Sequence, residues 1–127
     1  MMRDYQYHGY TPRQGDIITV NLDPQVGREI KKRRPVVVVS SDGYNAKTGF
    51  VQACPITHII RKRAGFFSMN TRHVTGQVNA IQLRSLDFIS ERRAIKKVDE
   101  LDPETFGKVA QFIRFIFDFD QVIDFGE

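Results

Sequence analysis

Apolar and polar positions along this chain change period several times, and each change marks an element. A polar stretch containing Tyr5, Tyr7 and Tyr10 ends at Pro12. Gly15-Asp16 then leads into Ile17-Ile18-Thr19-Val20-Asn21-Leu22, a β-rich, partly alternating run that predicts a strand stopped by Asp23-Pro24. Residues 25–34 predict a glycine-containing, strongly basic loop. Pro35 opens Val36-Val37-Val38-Val39, and four β-branched residues in a row suit a central strand buried on both faces. Ser40 to Gly49 predicts a polar turn region, Phe50 to Ile56 another strand, and residues 57–65 a second basic loop with Arg61-Lys62-Arg63. Phe66 to Val74 and Asn79 to Leu83 predict short strands hinged at Gly76. Leu86 to Ile89 and Arg93 to Val98 suit either a strand or a short helix.

The final element is a helix. Asp102-Pro103-Glu104 supplies an N-cap, a proline at the first helical position and an acid in the first turn. Behind it Phe106, Val109, Ala110, Ile113, Ile116 and Phe117 recur at helical spacing, with Phe112, Phe115 and Phe119 off that stripe. Apolar residues on two faces call for two partners: the chain's own sheet, and a second subunit or a bound peptide. A barrel that wraps far enough would cover both. The expected fold is mainly β with a C-terminal α-helix, a small and strongly bent barrel. Residues 1–12 form a flexible N-terminal arm and 13–127 a single domain, as the length of 127 residues suggests.

Charge sharpens this picture. The net +4 conceals a body, residues 1–97, with 17 Lys/Arg against 7 Asp/Glu, and a tail, 98–127, with 2 against 8. A basic body favours a polyanionic partner such as nucleic acid, although mild basicity also serves solubility alone. Cys54 is the only cysteine and sits in an apolar run, so it reads as a buried, inert thiol rather than a nucleophile. No apolar run reaches membrane-spanning length, and the N-terminal residues lack a signal-peptide core, so a cytoplasmic protein with no membrane partner is expected.

Most catalytic motifs are missing. His8, His58 and His73 show no metal-ligand spacing, a lone cysteine completes no zinc site, and there is no GxGxxG, Walker loop or GxSxG elbow. Neither metal nor cofactor is therefore expected. What remains is charge and hydroxyls at strand ends. Arg28, Lys31, Lys32, Arg33 and Arg34 cluster against one acid, Glu29. A solvated loop is the plainer account of that run, but Arg34 stands apart. Pro35 disfavours the helical region for it and holds it extended at the lip of a rigid strand, where a fixed guanidinium can meet phosphate oxygens. Thr57 ends the neighbouring strand, and its hydroxyl can bond a phosphoryl oxygen. His58 follows directly and could reach a substrate, though a surface histidine is commoner.

With these residues in view, the chain resembles the MazF/PemK toxins. The resemblance is carried by Gln14-Gly15-Asp16-Ile17-Ile18, Leu22-Asp23-Pro24 with Gly27-Arg28-Glu29, Arg34-Pro35 with the valine strand and Ser40, Tyr44-Asn45 with Pro55-Ile56-Thr57, and more faintly Gln82-Leu83-Arg84-Ser85-Leu86-Asp87. It implies an SH3-like barrel, a homodimer, cleavage of single-stranded RNA at short motifs, and an antitoxin whose C-terminal segment fills the RNA groove. By the same resemblance Arg34 and Thr57 match catalytic positions, Glu29 the acid of the turn and Gln82 a glutamine that touches RNA. Glu29 stands as a candidate base, and Arg28, Lys31, Lys32, Asn45, His58 and Arg61 as RNA contacts; Tyr44, Phe66 and Phe67 are further candidates. The chain departs from one branch of the family, which has an Arg-x-Asp pair where Asn79 and Ile81 stand and a histidine at Arg28. The acid–base scheme of that branch does not carry over. Two alternatives remain: a gyrase poison of the CcdB kind on the same barrel, and an RNA-binding module without turnover. The first would call for a tryptophan near the C-terminus, and this chain has none.

Overall fold

The computed structural model describes residues 3–22 and 33–123. In chain order the elements are β1 (Asp16–Val20), β2 (Arg34–Val38), α1 (Asp42–Thr48), β3 (Phe50–Thr57), β4 (Phe66–Asn70), β5 (Thr75–Asn79), a 3-10 turn (Ala80–Gln82), β6 (Arg84–Asp87), β7 (Lys96–Glu100), α2 (Pro103–Phe117) and a last 3-10 turn (Phe119–Gln121). The strands run antiparallel in the order β4-β5-β3-β2-β1-β7, with β6 also paired to β3. β3 is where the sheet folds over. Its first half pairs with β6 and its middle with β2, while Ile56 and Thr57 pair with β5. The result is the expected curled, mostly β half-barrel with a C-terminal helix.

Alternation builds two cores from the same strands. Ile17, Val37, Cys54, Ile56, Met69 and Val78 face one side and pack with Val109, Phe106, Phe112 and Ile113 of α2. Ile18, Val20, Val36, Val38, Val51, Ala53, Leu86 and Phe88 face the other. A valine run has no polar face to expose because both faces are covered, each valine contributing about 1.5–3 kcal/mol. Cys54 lies in this core, and desolvation pushes its thiol up to about 12.

Several expectations are corrected. The polar stretch 40–49 contains a helix: Ser41 accepts from the Tyr44 amide at its start, Gly49 closes it at φ 75°, and the Asn45 side chain is fully buried. Gly76 is not a hinge but lies inside β5, at φ 154°, where the Thr57 carbonyl approaches its Cα so closely that a Cβ would fall well inside 3.0 Å. Where a strand is expected over 79–83, Asn79 ends β5 and Ala80–Gln82 form a 3-10 turn, because the Asn79 side chain accepts from the amides of Ile81 and Gln82. The ambiguous segments resolve as strands β6 and β7. On α2 the buried stripe is Phe106-Val109-Phe112-Ile113, while Ala110, Phe115, Ile116 and Phe117 lie exposed.

The N-terminal segment expected as an arm lies against the barrel. Tyr7 and Tyr10 bridge each other and pack on the second core, and Tyr10 donates to buried Asp16 at 2.5 Å. Asp16 also accepts from the Arg13 amide at 3.0 Å and pairs with Lys97 at 3.3 Å. Both ends of the connection between β1 and β2 are tied to one turn: Arg93 donates to the carbonyls of Asn21 and Leu22, and Arg33 to that of Ala94.

Candidate functional site

Strand register sets the two candidate catalytic residues on one face of neighbouring strands. Val36 on β2 faces Pro55 on β3, and Arg34 and Thr57 lie two residues further along the same antiparallel register. Side chains two apart share a face, so Arg34 and Thr57 lie on the face of Val36 and Pro55, beyond the last paired position of β2 and β3. Arg34 is exposed, at the end of β2 with buried Val20 as its partner on β1. Pro35 in the strand beside it accounts for that placement.

The Thr57 hydroxyl is already oriented. Its Oγ1 accepts from the Ile59 amide at 3.1 Å, which leaves the hydroxyl proton to donate outward. On its other side Thr57 pairs with Gln77 on β5, and Gln77 in turn with Ser68 on β4. Buried Gln77 accepts from the Arg61 amide at 2.8 Å and donates to the Arg61 carbonyl at 3.2 Å, so it clamps the basic loop after β3 to the sheet. Nothing in the sequence pattern singled Gln77 out; a polar residue in a strand whose neighbours are buried was the available signal.

Thr57 and Pro55 open into a cleft of about 420 Å3 lined also by Arg61, Arg63, Phe66, Asn79, Ile81 and Gln82. Among the described residues, no acidic side chain lines it. Phe66 faces Asn79 across β4 and β5, and the Arg63 guanidinium lies 5.7 Å from the centre of the Phe66 ring. Of the expected RNA contacts, Arg61 and Gln82 thus share this cleft with Thr57. Arg63 and Asn79 belong to it as well. His58 lines a separate cleft of about 570 Å3 with Pro35, His73 and Lys96. Asn45 is corrected: its amide is buried, bonded to Ser40 Oγ at 2.5 Å and to the Pro12 carbonyl at 2.8 Å, and has no face left for a ligand. Arg28, Glu29, Lys31 and Lys32 lie outside the described residues.

A small antiparallel half-barrel whose cleft beside Thr57 is lined by Arg61 and Arg63 defines a protein suited to a polyanion. Residues 13–117 match the family described as PemK-like, MazF-like toxins of type II toxin–antitoxin systems, and the chain belongs to it. Among curated relatives, the endoribonuclease toxin MazF of Escherichia coli K12 is 46% identical over 48 residues, 38% of this chain and 43% of that protein. That match spans less than half the relative's length. Endoribonuclease MazF9 of Mycobacterium tuberculosis H37Rv is 28% identical over 84% of this chain and 96% of its own. A crystal structure of MazE–MazF from Deinococcus radiodurans superposes with a TM-score of 0.74 at 29% identity, covering 86% of this chain and 98% of that one.

Proposed function

We propose that this protein is an endoribonuclease toxin that cuts single-stranded RNA, chiefly mRNA, at short sequence motifs without a metal ion. The observation that supports the reading is that Arg34 and Thr57 share a face of the neighbouring strands β2 and β3, with Thr57 lining a cleft that also holds Arg61 and Arg63. RNA holds its own nucleophile, the 2′-hydroxyl, next to each phosphodiester. Attack of the 2′-oxygen on phosphorus breaks the bond to the 5′-oxygen and leaves a 2′,3′-cyclic phosphate and a free 5′-hydroxyl. Because the nucleophile is tethered, proximity supplies much of the acceleration and no metal-activated water is required.

In this scheme Arg34 holds the non-bridging oxygens as negative charge builds on them, and the Thr57 hydroxyl donates to one of those oxygens. The 2′-hydroxyl proton passes to Glu29, the leaving 5′-oxygen takes a proton from the Arg34 guanidinium, and exchange with solvent returns both groups to their starting states. Arginine's very high pKa rules it out as the base. Arg28, Lys31, Lys32, Arg61 and His58 hold the flanking phosphates, and Gln82 touches a base.

The protein acts as a homodimer and is held in check by an antitoxin whose C-terminal segment fills the RNA groove. In support, Phe115 of α2 is 76% exposed beside exposed Ile116 and Phe117, an apolar surface of the kind a second subunit covers. A cytoplasmic setting fits an mRNA substrate, and among the described residues no helix is long and apolar enough to cross a membrane.

The test is a labelled, unstructured RNA incubated with purified protein in EDTA. The expected result is cleavage with cyclic-phosphate ends, lost on the order of a hundredfold to a thousandfold in Arg34→Ala. Wild-type cleavage by Arg34→Ala, or RNA retained uncut by the wild type, refutes the reading.

A further inference from the structure

We propose that the cleft beside Thr57 takes one unpaired nucleobase next to the scissile phosphate, and that it selects uracil or guanine there. This rests on the ribonuclease reading above and adds what the site reads. A volume of about 420 Å3 lies within the range of small-ligand pockets. One wall is the Phe66 ring, half-buried in β4, with the Arg63 guanidinium over it. Aromatic rings and guanidinium planes are the surfaces on which proteins stack splayed-out bases.

The opposite side of the same row supplies an edge reader whose polarity is set by the fold. Asn79 faces Phe66 across the β4–β5 ladder. Its Oδ1 accepts from the amides of Ile81 at 3.1 Å and Gln82 at 3.3 Å, closing the 3-10 turn. The amide cannot flip without losing both bonds, so its NH2 end is left as a donor, with no hydrogen-bond partner among the described residues. On a base's Watson–Crick edge, a fixed donor suits the exocyclic carbonyl of uracil (O4) or guanine (O6). Cytosine and adenine place an amino group at that position, which would set donor against donor. Gln82, also in the cleft, carries both a donor and an acceptor and completes the edge contact with either base.

Asn79→Asp tests this role, because a carboxylate keeps an oxygen that caps the turn while an acceptor replaces the donor; its added charge repels every RNA alike and cancels in the ratio of kcat/KM between bases. The experiment is cleavage of an unstructured RNA pool with one randomised region, read by end-sequencing, followed by kcat and KM on oligonucleotides differing at the bordering position. The wild type should cut with uracil or guanine enriched at one position bordering the cut. Asn79→Asp should lose that enrichment by about tenfold in kcat/KM, and Phe66→Leu should raise KM on the order of tenfold while the preferred base stays the same. An Asn79→Asp protein that folds, by circular dichroism, and cuts with the wild-type base preference overturns the base pocket and leaves the Arg34–Thr57 reading standing. So does a wild type with no keto-base preference at either bordering position. A wild type that cuts no RNA overturns the ribonuclease reading itself, and this inference with it.

Discussion

Gly76→Ala should cost both stability and cleavage, because one atom is missing at the point where β5 meets the end of β3. A Cβ at position 76 would meet the Thr57 carbonyl oxygen and carbon, both backbone atoms, with the Ile56 side chain just behind. Flexible side chains can swing aside; a carbonyl in a paired strand cannot. Restoring ordinary contact at 3.4 Å requires β3 and β5 to part by about one ångström at Thr57. Overpacking of this kind costs about 1–3 kcal/mol, or roughly 3–5 °C in Tm per kcal/mol for a chain of this size. The same movement displaces the Thr57 hydroxyl, and a misplacement near one ångström can lower a rate on the order of a hundredfold. Thermal unfolding followed by circular dichroism gives the first quantity, and cleavage of a short fluorogenic RNA, well below Tm, gives the second. Gly107→Ala is the internal control: it sits in α2 with nothing within 4 Å of its Cβ, and should gain about 0.5–1 kcal/mol without loss of cleavage. A Gly76→Ala protein with wild-type Tm refutes the β3–β5 packing at Thr57. One with lowered Tm but wild-type turnover shows that Thr57's position does not govern the chemistry.

Asn45→Ala should destabilise by about 1–3 kcal/mol in chemical denaturation, since it strands the Pro12 carbonyl and the Ser40 hydroxyl; an RNA affinity defect without a stability defect would instead restore Asn45 as a contact. Asp102→Ala removes the cap that accepts from the Thr105 amide at 2.9 Å and should cost on the order of 1 kcal/mol by the same measurement. Cys54 should resist a thiol reagent at pH 8 in the native protein and react once unfolded. Burial pushes its folded thiol up to about 12 from an ordinary value near 9, so the unfolded chain ionises first. The stability it contributes is complete below pH 9 and declines as pH rises toward 12. Rapid native labelling at pH 8 would contradict that burial.

The strongest periodic runs in the sequence are the elements the structure contains: β1, β2, β3 and α2 follow from hydrophobic pattern and the Asp102-Pro103 cap. The pattern failed where local polar bonds, not burial, set the backbone. Helix α1 has no apolar stripe and depends on Ser41, Gly49 and one buried asparagine. The Ala80–Gln82 turn depends on Asn79 Oδ1. Ile116 and Phe117 keep helical spacing yet face solvent, because periodicity reports a stripe without reporting how far the sheet reaches to cover it. At the site, Arg34 and Thr57 were legible because each ends a strand and the two strands are neighbours. Arg63, Gln77 and Asn79 were not. Their roles come from pairings of β4 and β5 with β3, and no short-range pattern encodes which distant strand lies alongside.

The ties from Arg93 to Asn21 and Leu22, and from Arg33 to Ala94, fasten both ends of the β1–β2 connection at one place on the barrel. With both ends fixed, lengthening the connection costs little in closure entropy, about 0.6 kcal/mol for a doubling. Arg28, Glu29, Lys31 and Lys32 all lie in that stretch. On the proposed ribonuclease reading, variants that lengthen or recharge it would alter RNA contacts while leaving the scaffold unaltered.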